Sequence, residues 1–174
     1  MLKIEDIVER LRIKDSGVVD DIYNTAFALL KEEQERMNVI DTKSNYIIGI
    51  AGIAISLLFT FGKDIYTNIF NYTLLTILYF ATLGLFLASL IIAVFVIKPR
   101  TYKGINLNNL LNKDETEKEK KIYRRFMAAH ILDLFQNNYS VNETKGRVLK
   151  WAHTLLILAA IFLIPLFMCL HYIN

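Results

Sequence analysis

The 174 residues are expected to permit only one compact unit, and 54% hydrophobic residues with a mean hydropathy of +0.35 place the chain among membrane proteins. The net charge of +3 is a small remainder of 20 basic and 17 acidic residues that are segregated along the chain. A single cysteine, Cys169, lies in an apolar run, and His130, His153 and His171 are widely spaced. This excludes a disulfide framework and gives no metal-ligand spacing.

Residues 1–17 open the chain as a charged segment, not the apolar stretch of a cleaved signal peptide. Leu2, Ile4, Ile7, Val8 and Leu11 predict a short amphipathic helix there, broken at Ser16-Gly17. A second helix is expected from about Val18, with Asp20-Asp21 in its acidic first turn. Tyr23, Phe27, Leu30 and Met37 form its apolar seam, with Gln34 at the missing step, and KEEQER reads as a solvated face. No glycine or proline interrupts residues 18–48, so this helix is expected to run on into the membrane to about residue 61.

The run Tyr46 to Phe61 carries no charge. With Ser44 and Asn45 it gives roughly 27 Å of helix, close to the hydrocarbon thickness of a bilayer. Asn45, Gly49, Gly52, Ser56 and Thr60 share one face of it, and Asp41 lies one turn earlier on the same line. Phe61-Gly62-Lys63-Asp64 is expected to end this span, with a loop to about Tyr72 in which Tyr66, Phe70 and Tyr72 suit an interfacial belt. A second span is expected over about 74–97, stopped by Lys98-Pro99-Arg100. Its small face is Ala81, Gly84 and Ala88.

Residues 98–150 are again polar. Ile105 to Asn109 reads as loop, and Asp114 with Glu117 as a capping-box-like helix start. The following helix is basic in its first turns and is expected to end between Asn137 and Gly146. A third span follows over 151–174, with Pro165 as a kink. The fold class is therefore all-α: a helical integral membrane protein with three transmembrane helices and cytoplasmic helical extensions. Its organisation is 1–43 cytoplasmic helices continuing into the first span, 44–97 a transmembrane hairpin with spans at about 44–61 and 74–97, 98–150 a cytoplasmic helical segment, and 151–174 the third span.

Orientation follows from the basic residues. Segment 1–43 holds seven Lys or Arg and 98–150 holds twelve, against one in 62–73 and none at the C-terminal tail. The positive-inside rule then puts the N-terminus in the cytoplasm and the C-terminus outside. No span has a mid-membrane charge of the kind an ion-coupled carrier uses. No phosphate loop, zinc motif or nucleophile elbow is present, so neither an enzyme nor a cofactor is expected. Pore formation and scaffolding remain, and a pore from three spans requires an oligomer.

Glu35-Arg36, then Ile40-Asp41-x-Lys43-Ser44 at the mouth of a small-residue span, resemble the Pycsar transmembrane effectors of bacterial anti-phage defence and the related SLATT-type effectors. Those families carry an Asp-x-Lys-Ala-like element there, and Ser44 stands in the alanine position. A second span, a helical insert and a last span entered through Lys145-Gly-Arg147-Val-Leu-Lys150 are similar too. The membrane effector of Hailong-type systems has a closely similar plan.

The resemblance implies a nucleotidyltransferase encoded alongside, a nucleotide or oligonucleotide signal, and an effector in the bacterial inner membrane that depolarises it in abortive infection. No separate cyclic-nucleotide-binding domain is recognisable, which leaves the cytoplasmic surface of an oligomer as the receptor. Candidate ligand-binding residues are Lys118, Lys121, Arg124, Arg125, Lys145 and Arg147, with Tyr123 and Phe126 for base stacking. The competing readings are a solvated face for Lys118 to Lys121 and contact with anionic lipid. Candidate pore-lining residues are Asp41, Asn45, Gly49, Gly52, Ser56 and Thr60, with dewetting at Ile48, Ile53 and Leu57 as the closing device. Small faces on two spans favour a homo-oligomer, a tetramer first. The alternatives are a non-conducting structural or partner-docking subunit, in which the same face is only a packing seam, and a holin-like pore former.

Overall fold

A computed structural model describes residues 16–69, 73–98 and 120–173, together with Glu9. These form three helices: α1, Ser16–Ile69; α2, Thr73–Ile97; and α3, Lys120–Ile173. Among the described residues there is no strand. All three helices are long and apolar enough to cross a membrane. The N-terminal amphipathic helix, the Ile105 to Asn109 loop and the Asp114 cap lie outside the described residues.

The helices are longer than their sequence punctuation suggests. α1 starts at Ser16, so Asp20 and Asp21 fall beyond its first turn. It continues past Gly62 to Ile69, through much of the expected loop. α3 runs unbroken through Asn137, Asn138 and Gly146, where an end was expected. Single Gly or Asn residues cost a helix only about 0.5–1 kcal/mol each, less than a packed face returns. Pro165 lies inside α3, which therefore lacks the amide bond to the Ile161 carbonyl.

The chain divides into two compact units and not the one expected from its length: Met1–Asn38 with Arg100–Thr144, and Val39–Pro99 with Lys145–Asn174. The first is a pairing of α1 with α3. Ala26 and Leu30 pack with Ile131 and Leu134, while Ile22 and Tyr23 lie against Ala128 and Ala129. The alanines leave no side chain in the way, so the helices approach closely. They run parallel: Asp20 meets Arg124, Glu33 meets Asn142, and Arg36 meets Glu143. The expected seam needs correction here. Phe27 is 52% exposed and Gln34 is exposed, whereas Val19, Ala26, Leu30 and Glu33 are buried. The inward line is shifted by one residue because the facing surface is built from alanine and takes small side chains in place of Phe27.

The second unit is a three-helix membrane core. Its α2 line is Leu75, Tyr79, Thr82, Phe86, Ser89, Ala93 and Val96, alternating steps of four and three without a gap. On α3, Lys145, Leu149, Ala152, Leu156 and Ala159 repeat the spacing, and on α1 Ile40, Ser44, Ile47 and Ala51 do so. A sustained 3.5-residue period is the geometry of left-handed, knobs-into-holes packing. Small buried residues (Ser44, Ala51, Ser89, Ala93, Ala152, Ala159) alternate with large ones, so the helices interlock. The exterior is apolar as well: Ile53, Phe59, Ile77, Phe80, Phe95, Ile164 and Met168 are each at least 60% exposed. An exterior of this kind matches hydrocarbon rather than water.

Two contacts fix the packing of this unit. Ser89 Oγ donates to the Ala152 carbonyl at 2.8 Å. Tyr79 Oη donates to the Leu58 carbonyl at 3.4 Å and lies over Gly62, where an added Cβ would come within 2.9 Å of it. An alanine at Gly62 would therefore have to displace the tyrosine hydroxyl.

Candidate functional site

On α1 in the membrane unit, polarity and packing fall on opposite sides. Ile40, Ser44, Ile47, Ala51 and Leu58 are buried. At about 100° per residue they occupy an arc centred about 150° from Asn45, Gly49, Gly52, Ser56 and Thr60. Asn45, Gly49, Ser56 and Thr60 are exposed and Gly52 is half-buried. A Cβ added at Gly49 or Gly52 would meet nothing within 4 Å, and the same holds for Gly84 on α2. Among the described residues no contact needs these glycines to be small. Ser56 Oγ donates to the Gly52 carbonyl and Thr60 Oγ1 to the Ser56 carbonyl, each at 2.9 Å. The dipoles of the stripe are thereby linked along the helix.

Asp41 stands at the first turn of this stripe. Its Oδ1 accepts from Lys145 Nζ at 3.1 Å. The Lys145 side chain is 2% exposed and that of Asp41 33%. Ser44, also buried, turns its hydroxyl back to the Ile40 carbonyl at 3.0 Å.

The first unit carries its own polar cluster. Asn142 Nδ2 donates to Glu33 Oε1 at 2.8 Å and to the Glu33 carbonyl at 3.0 Å, with both residues buried. Arg36 bonds Glu143 at 3.0 Å, lies 3.6 Å from Glu33 and covers the Tyr139 ring at 5.4 Å. The hydrogen bond to Glu143 raises the Arg36 pKa above its ordinary value, so this guanidinium stays charged at any pH a cell meets.

The basic residues read as a ligand site divide between the two compact units. Arg124 is paired with Asp20. Phe126 packs edge-on against His130, with ring centroids 4.6 Å apart. Tyr123, Arg124, Arg125 and Phe126 are half-buried and share the first turns of α3. Lys118 and the side chain of Lys121 lie outside what is described, while Lys145 and Arg147 belong to the membrane unit. Sequence reasoning missed Glu33, Glu143 and Asn142. Their one visible signal is a polar residue at an inward step of an otherwise apolar period, as at Glu33. Among the described residues no group of His, Cys, Asp or Glu could hold a metal ion.

Three long apolar helices, a continuous interlocking core and an apolar exterior define a helical integral membrane protein. The chain belongs to the Pycsar effectors: the family model for the Pycsar effector protein domain matches residues 25–172, nearly all of α1, α2 and α3. It is therefore a membrane effector of anti-phage defence, in a family not known for enzymes and set in the context of a cyclic nucleotide signal and a lipid bilayer. No curated protein and no solved structure gave a match.

Proposed function

We propose that the chain assembles into a homo-oligomer, a tetramer first, whose α1 helices line an ion-conducting pore through the bacterial inner membrane. The single observation that supports this is the stripe Asn45, Gly49, Gly52, Ser56 and Thr60, which lies on the side of α1 opposite its buried line. Repeated about an axis, it forms rings of amide, backbone and hydroxyl dipoles wide enough for water. Asp41 stands at the cytoplasmic mouth, and Ile48, Ile53 and Leu57 close the path by dewetting. Residues 1–43 and 98–150 lie in the cytoplasm, and the C-terminus lies outside. A nucleotide or oligonucleotide from a partner nucleotidyltransferase binds the cytoplasmic surface and sets the gate. Arg124, Arg125, Lys118 and Lys121 meet its phosphates, and Tyr123 and Phe126 supply faces for its bases. The ion flux depolarises the membrane and ends the infection with the cell.

The test is ion flux from liposomes holding purified protein. Wild type should release a trapped ion, and Ser56→Trp should abolish release without changing assembly. An assembled wild type that leaks nothing supports the docking-subunit reading instead. Reversing charge at Arg124 and Arg125 should abolish nucleotide or oligonucleotide binding while the oligomer persists, and unchanged affinity removes that site.

A further inference from the structure

Among the described residues, Lys145 is the one charged side chain buried inside the membrane unit. It opens the inward line of α3, one step before Leu149 and Ala152, where an apolar residue would serve packing better. Burying an ammonium is unfavourable unless an anion and hydrogen bonds meet it. Asp41 meets it at 3.1 Å. The pair is asymmetric: the cation is sealed within the helices, and the carboxylate keeps a third of its side chain open.

The place of Asp41 on α1 gives that asymmetry a use. On the wheel it falls between the buried line through Ile40 and Ser44 and the stripe through Asn45 and Gly52. One side of the carboxylate reaches Lys145, and the other borders the stripe. The charges are much closer than the screening length of about 8 Å at physiological salt. An ion approaching along the stripe therefore meets a dipole, not a bare negative charge. A ring of bare carboxylates concentrates cations, and a ring of such dipoles does so far less.

We infer that Lys145 is a selectivity-determining residue of the pore: it neutralises Asp41 from behind, so the preference of the mouth for cations or anions is set by the Lys145–Asp41 pair and not by Asp41 alone. This rests on the pore reading above. The substrates concerned are small monovalent ions. Lys145 needs no direct contact with the permeating ion, because it acts through the carboxylate it holds.

The experiment is a reversal-potential measurement on full-length protein in planar bilayers with a KCl gradient, with oligomer mass determined in mild detergent for each variant. Lys145→Met leaves the carboxylate without this cation, and the K+/Cl− permeability ratio should rise about fivefold or more. Asp41→Asn should move the ratio the opposite way, and the exchange D41K/K145D, which keeps the pair but turns its dipole round and puts the ammonium at the mouth, should also shift the ratio toward Cl− relative to wild type. If both single variants conduct with the wild-type ratio, the inference is overturned and the pore reading stands. If neither single variant assembles but the exchange does, the pair only holds the fold, and the inference is again overturned. Assembled wild type that carries no current removes the pore reading, and the inference with it.

Discussion

Glu33 and Asn142 form a buried polar rung in the pairing of α1 with α3. Buried hydrogen bonds to charged groups are worth about 1.5–3 kcal/mol, and a stranded partner costs about as much. Asn142→Leu takes the amide donor from a buried carboxylate and should lower stability by about 2 kcal/mol, read as a lower thermal midpoint in mild detergent. Glu33→Leu with Asn142→Leu should regain most of the loss, because two well-packed apolar residues can replace a buried polar pair. A double variant no better than the single would show that the rung contributes more than mutual satisfaction. Gly62 and Tyr79 allow a second cycle at this scale. Gly62→Ala gains up to about 1 kcal/mol of helix propensity, but its methyl meets the Tyr79 hydroxyl. It should therefore be neutral or destabilising in wild type and stabilising in a Tyr79→Phe background. Equal effects in both backgrounds would mean the contact carries no energy.

At the scale of the helix, the alternating four-and-three spacing on α2 and α3 makes neighbouring positions behave oppositely. Ala159 is fully buried and Ala160 is exposed. Ala159→Leu should cost about 1–3 kcal/mol through overpacking, while Ala160→Leu should fall within about 0.5 kcal/mol of wild type. Denaturant titration in one detergent separates them. The spans and the stripe were legible in sequence because a bilayer demands about twenty apolar residues and a helix sorts them by face. The helix ends near Gly62 and Asn137 were misread, since local punctuation is weaker than a packed face. The Phe27 seam was misread because size alone does not say which face meets alanine. The pairs Asp41–Lys145 and Glu33–Asn142 join residues more than 100 positions apart. Their register comes from the parallel packing of α1 on α3, which no local pattern encodes.

For the whole molecule, the small faces at Gly49, Gly52 and Gly84, which no described side chain fills, are consistent with the proposed assembly. Mass measurement at micromolar protein in mild detergent should give a closed oligomer, four copies expected. A stable monomer under those conditions removes both the assembly and the pore. The hydroxyls bear on the step before assembly. Ser44, Ser56, Thr60, Thr82 and Thr154 each give their proton to the carbonyl four residues back on their own helix. These donors are satisfied as soon as a helix forms, before it meets any neighbour. A hydroxyl left open in hydrocarbon would drive newly made copies together on insertion. That drive is absent at these positions, so these hydroxyls do not themselves pull copies together, and the proposed assembly draws on the packing of its small faces instead.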